Sequence, residues 1–507
     1  MEKKNIPKGT LKITFANTVQ YIIIALFYVI VTKTNTLTDT EIGNLSILNF
    51  LASTFSLLTL LALPIALTKF TSEKLETNQK DKAAETQKTI ITAVIAISIT
   101  GLIIAVLSSQ FISQYLFTNT EFIILVILNF IFAFLFNIRN LFDSFLNAFY
   151  LFGKVATLTI AFITSSRIIA IILVFLNLGI TGVIIGYIIG SMISISIGLK
   201  FLHKKFPRTS KYASLKPILH FSLPLFITSL TNLILNWADI VIITSLTGNY
   251  SIVGIYSITV SSVGTLALLY LPMMTTIFPA ISAHYGRKKI ENIINITKTT
   301  SRIVIFIILP SCVGLAIIAR TALTFFYNSS YAAGSTSLAI LSIGTILIAI
   351  TGIFTTTLTA IGKTGQRLKI DIISAISLIL MLFSFVPFLD LPGAAFARLL
   401  TQLLALVLTI YILRKEIKIT LDKEALWKAT VCTIPIIPVL FYIEMIISKE
   451  LSIVPTLALE LLTAVGIYAF SLYILKALKP SDFDLLRQAV PKPLTKYITI
   501  LEHIIIR

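Results

Sequence analysis

Residues 231–258 read TNLILNWADIVIITSLTGNYSIVGIYSI, and this stretch guides the interpretation of the whole chain. It begins as an apolar helix in which Asn232, Asn236 and Asp239 recur at i, i+4 and i+7, so the three polar side chains share one face. A carboxylate inside a membrane span is costly unless it meets a partner or a wet cavity. The helix is therefore predicted to line a polar space before a Gly-Asn turn leads into the next span.

The composition is that of a polytopic membrane protein. Of the 507 residues 56% are hydrophobic and only 12% are charged, and the mean hydropathy is +0.94, beyond what a soluble core uses. Apolar runs of about 20 residues suffice to cross a bilayer, and fourteen such runs follow one another along the chain. The predicted fold class is all-α with about 14 transmembrane helices. The first run is predicted to be a retained helix rather than a cleaved signal peptide.

The basic residues predict the orientation in the membrane. If the spans alternate from a cytoplasmic N-terminus, 35 of the 41 Lys and Arg residues fall on the cytoplasmic side. Positive residues in short loops stay in the cytoplasm, so both termini are predicted to be cytoplasmic. The net charge of +19 is explained by these topology signals and headgroup anchors, and no nucleic acid is expected as a partner.

An internal repeat divides the first twelve spans into two six-helix units. Paired motif residues recur at nearly constant separation: Pro64 and Pro272 (208 residues), Gly153 and Gly362 (209), Gly182 and Gly393 (211), and Gly43 and Gly254 (211). Six is an even number, so both copies have the same orientation and are related by an axis along the membrane normal. The two bundles are expected to face each other across a central cavity.

The predicted domain limits follow from this repeat. They are an N-terminal six-helix bundle at 1–205, a C-terminal six-helix bundle at 206–415, two additional transmembrane helices at 416–478 and a cytoplasmic amphipathic tail at 479–507.

The stretch quoted above also resembles the polysaccharide transporter family. The resemblance lies in a span with Asn236 followed by Asp239, a short turn, and Val-Gly-Ile-Tyr-Ser at 253–257. The family contains flippases for lipid-linked oligosaccharides and belongs to a superfamily with multidrug exporters and the lipid II flippase. Fourteen spans favour the polysaccharide or lipid II branches, because the multidrug branch typically has twelve. The resemblance implies a transporter, not an enzyme.

The first bundle carries the candidate substrate-site residues Asn140, Arg139, Asp143 and Arg167. Arg139 and Asp143 are spaced i, i+4, so they either pair on one helix face or act together, Asp143 orienting a guanidinium that reaches into the cavity. Arg167 lies near the middle of the fifth span, where a guanidinium needs an anion, and its fork geometry suits phosphate. Pairing with Asp143 or with backbone carbonyls is the alternative.

The second bundle adds Asn232, Asn236, Asp239 and Arg398 to the candidate site. Asp239 is interpreted either as a cation-coupling site or as the partner of an arginine of the other bundle. Arg398 lies about five residues inside the outer end of the twelfth span, so it either faces the cavity or extends outward to the interface.

No cofactor or metal is predicted. Cys312 and Cys432 both fall inside spans, and the four histidines form no metal-binding pattern. Gly362-Lys363-Thr364 resembles a phosphate loop, but the position five residues before Gly362 is Thr357 rather than glycine. A tight cytoplasmic turn with an anchoring lysine is the better interpretation.

The function predicted from the sequence is a flippase of the cytoplasmic membrane that moves polyprenyl phosphate- or diphosphate-linked oligosaccharide by alternating access. Expected partners are this substrate, membrane lipids and polysaccharide-assembly proteins. A cation-coupled multidrug exporter and a lipid II flippase are the alternatives within the superfamily. A membrane oligosaccharide polymerase or ligase is disfavoured, because such enzymes usually present a large outer loop and every outer loop here has about a dozen residues or fewer.

Overall fold

The computed structural model describes residues 6–117, 122–203, 209–417, 419, 422–447 and 451–478. Within these ranges the chain is almost entirely helical and contains no strand, which confirms the predicted all-α class. The predicted amphipathic tail at 479–507 lies outside the described residues.

The described helices supply the predicted number of membrane crossings. Twelve helical segments in these ranges are long and apolar enough to cross a bilayer. Two of them, Phe152–Leu202 and Thr364–Ile417, are 51 and 54 residues long, more than twice what one crossing needs. Each contains a residue with positive φ, Asn177 (φ 62°) and Asp390 (φ 47°), at which the chain turns back on itself. When each is counted as two crossings, the total is fourteen.

The chain forms two compact units. Unit 1 comprises residues up to Thr244 together with Asn249–Gly254, and unit 2 comprises Ser245–Gly248 and the residues from Ile255 onward. Unit 1 contains α1 (Ile6–Lys33), α2 (Asp39–Leu60), α3 (Leu63–Glu76), α4 (Lys80–Leu107), α5 (Ser109–Phe117), α6 (Ile123–Ala148), α7 (Phe152–Leu173), α8 (Gly179–Leu202) and most of α9 (Leu215–Thr247). Unit 2 contains most of α10 (Tyr250–Gly264), then α11 (Ala267–Gly286), α12 (Ile290–Ile317), α13 (Ala319–Phe326), α14 (Ser335–Ala360), α15 (Thr364–Ile417), α16 (Lys423–Thr433), α17 (Ile436–Met445) and α18 (Ile453–Ile474).

Helices α7 and α8 of unit 1 form a tightly packed antiparallel hairpin. Small residues allow the close approach, since a Cβ built on Gly190 would lie 2.5 Å from the Cβ of Ser166. Ser194 donates its hydroxyl to the carbonyl of Leu158 across the pair (3.1 Å). The hairpin therefore provides a rigid support for the side chains that α7 carries.

Buried amides on α6 hold this helix against its neighbours. Asn129 donates to the carbonyl of Leu48 on α2 (2.8 Å), and Asn137 donates to the hydroxyls of Thr59 on α2 (2.7 Å) and Ser98 on α4 (3.3 Å). In a membrane, where little hydrophobic force acts between helices, such bonds help to fix packing. Two of the polar residues of the fourth span are thus accounted for by packing.

The second span is broken between α2 and α3. Leu61 (φ 48°) and Ala62 (φ 56°) are both left-handed, a conformation that costs a residue with a Cβ, and Pro64 follows at the second position of α3. Strained backbone of this kind tends to persist where function requires it.

Unit 2 contains a buried ionic contact that joins the additional helices to the repeat. Arg302 on α12 donates to the carbonyl of Ala477 (2.8 Å), which follows α18, and lies 3.8 Å from the carboxylate of Asp422. Asp422 in turn caps α16 by accepting from the backbone N–H of Ala425 (3.1 Å). Tyr468 on α18 donates its hydroxyl to the carbonyl of Phe306 on α12 (2.6 Å).

The Gly362-Lys363 pair forms the tight turn expected between α14 and α15. Gly362 has φ +80°, a conformation that favours glycine, and Lys363 pairs with Glu416 near the end of α15 (2.8 Å). This hydrogen bond raises the pKa of Lys363. The corresponding Lys154 of unit 1 stacks instead on Phe201 near the end of α8.

Candidate functional site

A cavity of about 440 Å³ with both polar and apolar lining residues lies within unit 1, between α2, α3, α6 and α9. Four of the predicted site residues line it: Asn140 and Asp143 from α6, and Asn232 and Asn236 from α9. Its lining also includes the hydroxyls of Ser53, Ser56, Ser144 and Ser229 and the apolar side chains of Leu57, Leu60, Ala62, Pro64, Ile65 and Leu233.

Helical periodicity explains how these residues come together. Ser229, Asn232, Leu233 and Asn236 follow the spacing i, i+3, i+4 and i+7 and therefore form one face of α9 near its middle. Ser53, Ser56, Leu57 and Leu60 repeat this spacing on α2, where the helix ends at the Leu61–Ala62 break. On α6, Asn140 and Asp143 line the cavity, whereas Asn129 and Asn137 bind neighbouring helices.

The lining suits a neutral polyhydroxyl molecule. Amide groups and hydroxyls both donate and accept hydrogen bonds, and a carboxylate accepts them. Asn232 and Asn236 are exposed in the structure, so their amides are accessible. The Nδ2 of Asn236 donates to the carbonyl of Asn232 (2.7 Å), which holds its side chain along the helix.

Asp143 and Arg139 form an ion pair on α6, with Nη2 and Oδ2 3.1 Å apart. Arg139 is buried against α7, where its guanidinium lies over the ring of Phe162 (4.7 Å) and donates to the hydroxyl of Thr159 (3.2 Å). Asp143 lines the cavity, and Arg139 is not among the lining residues. The carboxylate of Asp143, and not the guanidinium of Arg139, thus lines the cavity. The ion pair with Arg139 compensates the charge of this carboxylate.

Arg167 lies in a separate part of unit 1. Its guanidinium is held between the rings of Phe27 on α1 (4.9 Å) and Tyr187 on α8 (4.2 Å), the arrangement of a cation–π contact on both sides. Among the described residues, its buried Nε and Nη1 find no hydrogen-bond acceptor. Arg167 does not line the cavity that contains the asparagines.

Asp239 and Arg398 are also placed away from this cavity. Asp239 is buried one turn beyond Asn236 on α9, and its Oδ1 accepts from the backbone N–H of Ile240 (3.0 Å). Arg398 belongs to unit 2, in the second half of α15. The structure therefore brings together four of the eight predicted residues.

The sequence interpretation did not single out the four cavity serines. In isolation Ser53 and Ser229 look like ordinary serines of membrane helices, because each donates to the carbonyl four residues earlier. The available signal was helical spacing. Ser229 lies three residues before Asn232 and Ser144 four residues after Asn140, while Ser53 and Ser56 lie seven and four residues before the end of α2.

Comparison with known proteins extends the sequence resemblance. The family described as "Polysaccharide biosynthesis protein" matches residues 6–285. The capsular polysaccharide biosynthesis protein CapF of Staphylococcus aureus is 26% identical over 218 residues, which are 43% of this chain and 54% of CapF. The aligned region thus spans about half the length of this curated relative.

Solved structures share the fold at low sequence identity. The lipid II flippase MurJ, in an inward closed conformation, has a TM-score of 0.74 and 16% identity, covering 91% of this chain and 98% of MurJ. An inward-facing multidrug resistance MATE transporter has a TM-score of 0.64 and 15% identity, covering 81% of this chain and 97% of the transporter. At these identities the likeness establishes the fold alone. The family match covers more than half of the chain, and the chain belongs to the polysaccharide biosynthesis protein family, with the fold of the MurJ and MATE transporters.

Proposed function

We propose that this protein is a flippase that moves a polyprenyl phosphate- or diphosphate-linked oligosaccharide across the cytoplasmic membrane for cell-surface polysaccharide synthesis. The observation that carries the proposal is the unit 1 cavity, which gathers amides, hydroxyls and one compensated carboxylate on membrane helices. A sugar headgroup needs such a polar path, because its hydroxyls would lose their hydrogen bonds in hydrocarbon.

The sugar-binding role is assigned to Asn140, Asp143, Asn232 and Asn236. Side chains with both donors and acceptors can replace the water molecules around a sugar. The apolar residues that share the cavity wall, such as Leu57 and Leu233, offer contact to the less polar faces of the rings. Asp239 and Arg398 stay predictions as contributors to the substrate path.

The phosphate-binding role is assigned to Arg167, with Arg139 as a secondary contributor. Arg139 already has Asp143 as its counterion (3.1 Å), whereas Arg167 is surrounded by aromatic rings and has donors to spare among the described residues. An anionic headgroup supplies the acceptors that these donors require. Its departure restores the empty site for the next substrate.

The chain is further proposed to act as a transporter without catalysis and to have both termini in the cytoplasm. Its partners are proposed to be the lipid-linked substrate, membrane lipids and the proteins of polysaccharide assembly. The lipid II flippase, an alternative within the same superfamily, is the second candidate.

The test is a translocation assay with purified protein in lipid vesicles. A fluorescent lipid-linked oligosaccharide is incorporated, and an impermeant quencher reports how much reaches the opposite leaflet. Lipid II and a cationic dye are assayed in parallel. Faster translocation of the oligosaccharide than of both others supports the proposal. Preference for lipid II selects the second candidate, and transport of the dye alone overturns both.

A further inference from the structure

Two acidic side chains face one another inside unit 2, on the helices that lie outside the internal repeat. Glu444 is on α17 and Glu460 is on α18, two helices that pack against each other, and the two carboxyl groups interact electrostatically. Glu460 is fully buried, with 0% of its surface exposed. Thr321 on α13 donates its hydroxyl to Oε2 of Glu444 (2.6 Å), which fixes the position of that carboxyl group.

Glu460 also forms part of the wall of a second cavity. This cavity lies within unit 2, has a volume of about 640 Å³ and is lined mainly by apolar side chains of α12, α17 and α18. Its other polar lining groups include Ser311 and Tyr468, and the Tyr468 hydroxyl is already engaged with the carbonyl of Phe306. Glu460 is the one ionisable carboxyl group among the lining residues.

In the described part of the chain, no basic side chain forms an ion pair with Glu460. Neither of its oxygens accepts a hydrogen bond from a donor in the described residues. The basic groups on the surrounding helices are placed elsewhere: Arg302 binds Asp422 and Ala477, Lys428 pairs with Glu424 (3.0 Å), and Arg320 is exposed beside Thr321. Lys449, which follows α17 in the sequence, lies outside the described residues.

Two ionised carboxyl groups that interact in an apolar site repel each other and are poorly solvated. With both groups ionised, neither can donate a hydrogen bond, so their contact is unfavourable. A proton on either group turns the same contact into an O–H···O hydrogen bond and halves the charge. Pairs of carboxyl groups that share one proton arise for this reason.

We propose that Glu444 and Glu460 hold one proton between them and form a proton-binding site in the wall of the unit 2 cavity. The ligand is the proton itself, which exchanges through the cavity. The hydroxyl of Thr321 orients the carboxyl group of Glu444, and the carboxyl group of Glu460 exchanges the proton with the cavity. This site is separate from the unit 1 residues assigned to the sugar and the phosphate, and its occupancy does not depend on which substrate is transported.

Infrared spectroscopy of the full protein in lipid nanodiscs tests the proposal. A protonated carboxyl group has a carbonyl stretch that is distinct from that of a carboxylate. We expect the wild-type protein to show this band at neutral pH, with the intensity of one carboxyl group, and to lose it as the pH rises. Glu460→Gln should remove the band. Glu424→Gln, which changes an exposed acid on α16, is the matched control and should leave the band unchanged.

A second measurement needs no variant. A hydrophobic carbodiimide modifies protonated carboxyl groups in apolar sites, and mass spectrometry locates the modified residue. We expect modification at Glu460 or Glu444 that decreases at high pH. Absence of the infrared band at neutral pH, its persistence in Glu460→Gln, or its loss on addition of sodium at constant pH would overturn the proposal. A protein that fails to flip any lipid-linked sugar yet shows the band would refute the proposed function alone.

Discussion

Gly43 and Gly254 lie in direct backbone contact, and the contact is reciprocal. A Cβ on Gly43 would lie 1.9 Å from the carbonyl oxygen of Tyr250, and a Cβ on Gly254 would lie 1.9 Å from that of Asp39. The separation of 211 residues that relates Gly43 to Gly254 also relates Asp39 to Tyr250. Residues at equivalent positions of the repeated sequence thus meet within unit 1.

Replacing Gly43 or Gly254 by Ala should destabilise unit 1 by about 1–3 kcal/mol, because the added methyl group forces α2 and the segment Asn249–Gly254 apart. The measurement is thermal unfolding of the detergent-solubilised protein. Gly466→Ala is the control, since a Cβ there meets nothing within 4 Å and alanine is favoured in a helix. Equal stability of Gly43→Ala and the control would show that the contact is loose.

Replacing Asn140 or Asn232 by Ala should slow translocation of the lipid-linked oligosaccharide about tenfold or more while leaving the unfolding temperature close to that of the wild type. Both amides line the cavity, and loss of one good hydrogen bond to a substrate corresponds to roughly a tenfold effect.

Asn137→Ala is the matched comparison, because it removes an amide of the same helix that bonds Thr59 and Ser98. It should reduce the free energy of unfolding by about 0.6–2 kcal/mol. At matched amounts of folded protein its transport should be normal. The reverse pattern, with Asn137 controlling transport and Asn140 controlling stability, would contradict the assignment of the cavity.

Arg167→Ala should abolish translocation in vesicles while folded protein still reaches the membrane, since it removes the proposed countercharge for the phosphate. Arg167→Lys should restore activity only in part, because lysine keeps the charge but lacks the bidentate fork. Phe27→Leu controls for packing, as it weakens the ring contact at 4.9 Å without removing charge. Wild-type rates in Arg167→Ala would end this assignment.

Arg302→Ala should destabilise unit 2 by about 3–5 kcal/mol, because it leaves the buried carboxylate of Asp422 without its counterion. Limited proteolysis between α15 and α16 should become faster in the variant. Lys428→Ala breaks an exposed i, i+4 pair with Glu424 and should cost only about 0.3–0.5 kcal/mol. Similar losses of stability in both variants would show that the buried contact between Arg302 and Asp422 does not stabilise unit 2.

A cysteine placed at Ser210 should react only with a membrane-permeant reagent, because the predicted topology puts the segment between α8 and α9 in the cytoplasm. The side chain of Ser210 is exposed, so reactivity is not limited by burial. The backbone there is held by Lys88, which donates to the carbonyls of Thr209 and Ser210 (3.0 Å each). Labelling of this cysteine in intact cells by an impermeant reagent would show that the orientation is the opposite of the predicted one.

The fold could be predicted from the sequence because apolar runs of about 20 residues mark the helices that can cross a bilayer. The site could be predicted only in part. Periodicity places Asn137 and Asn140, spaced i, i+3, close together on α6, but it does not say which amide meets a cavity and which bonds to α2 and α4. That distinction depends on which helices are neighbours, and it separates amides of the same type into substrate and packing roles.

The surroundings of the charged side chains could likewise be predicted only in part. Arg139 and Asp143 are paired as their spacing allows, yet the carboxylate and not the guanidinium reaches the cavity, because α7 offers Phe162 and Thr159 to Arg139. Glu444 and Glu460 were not singled out at all. They belong to two different spans, and no local pattern shows that antiparallel packing of α17 and α18 brings them together.

The assignment of α9 to unit 1 has a practical consequence for building chimaeric proteins. By repeated motifs the second half begins near residue 206, but α9 packs with the first half as far as Thr244 and supplies Ser229, Asn232 and Asn236 to its cavity. A hybrid of two relatives joined near residue 206 would combine cavity walls from different parents. A junction at the turn around Gly248, where φ is +60°, would transfer the whole cavity intact and with it any selectivity that the cavity confers.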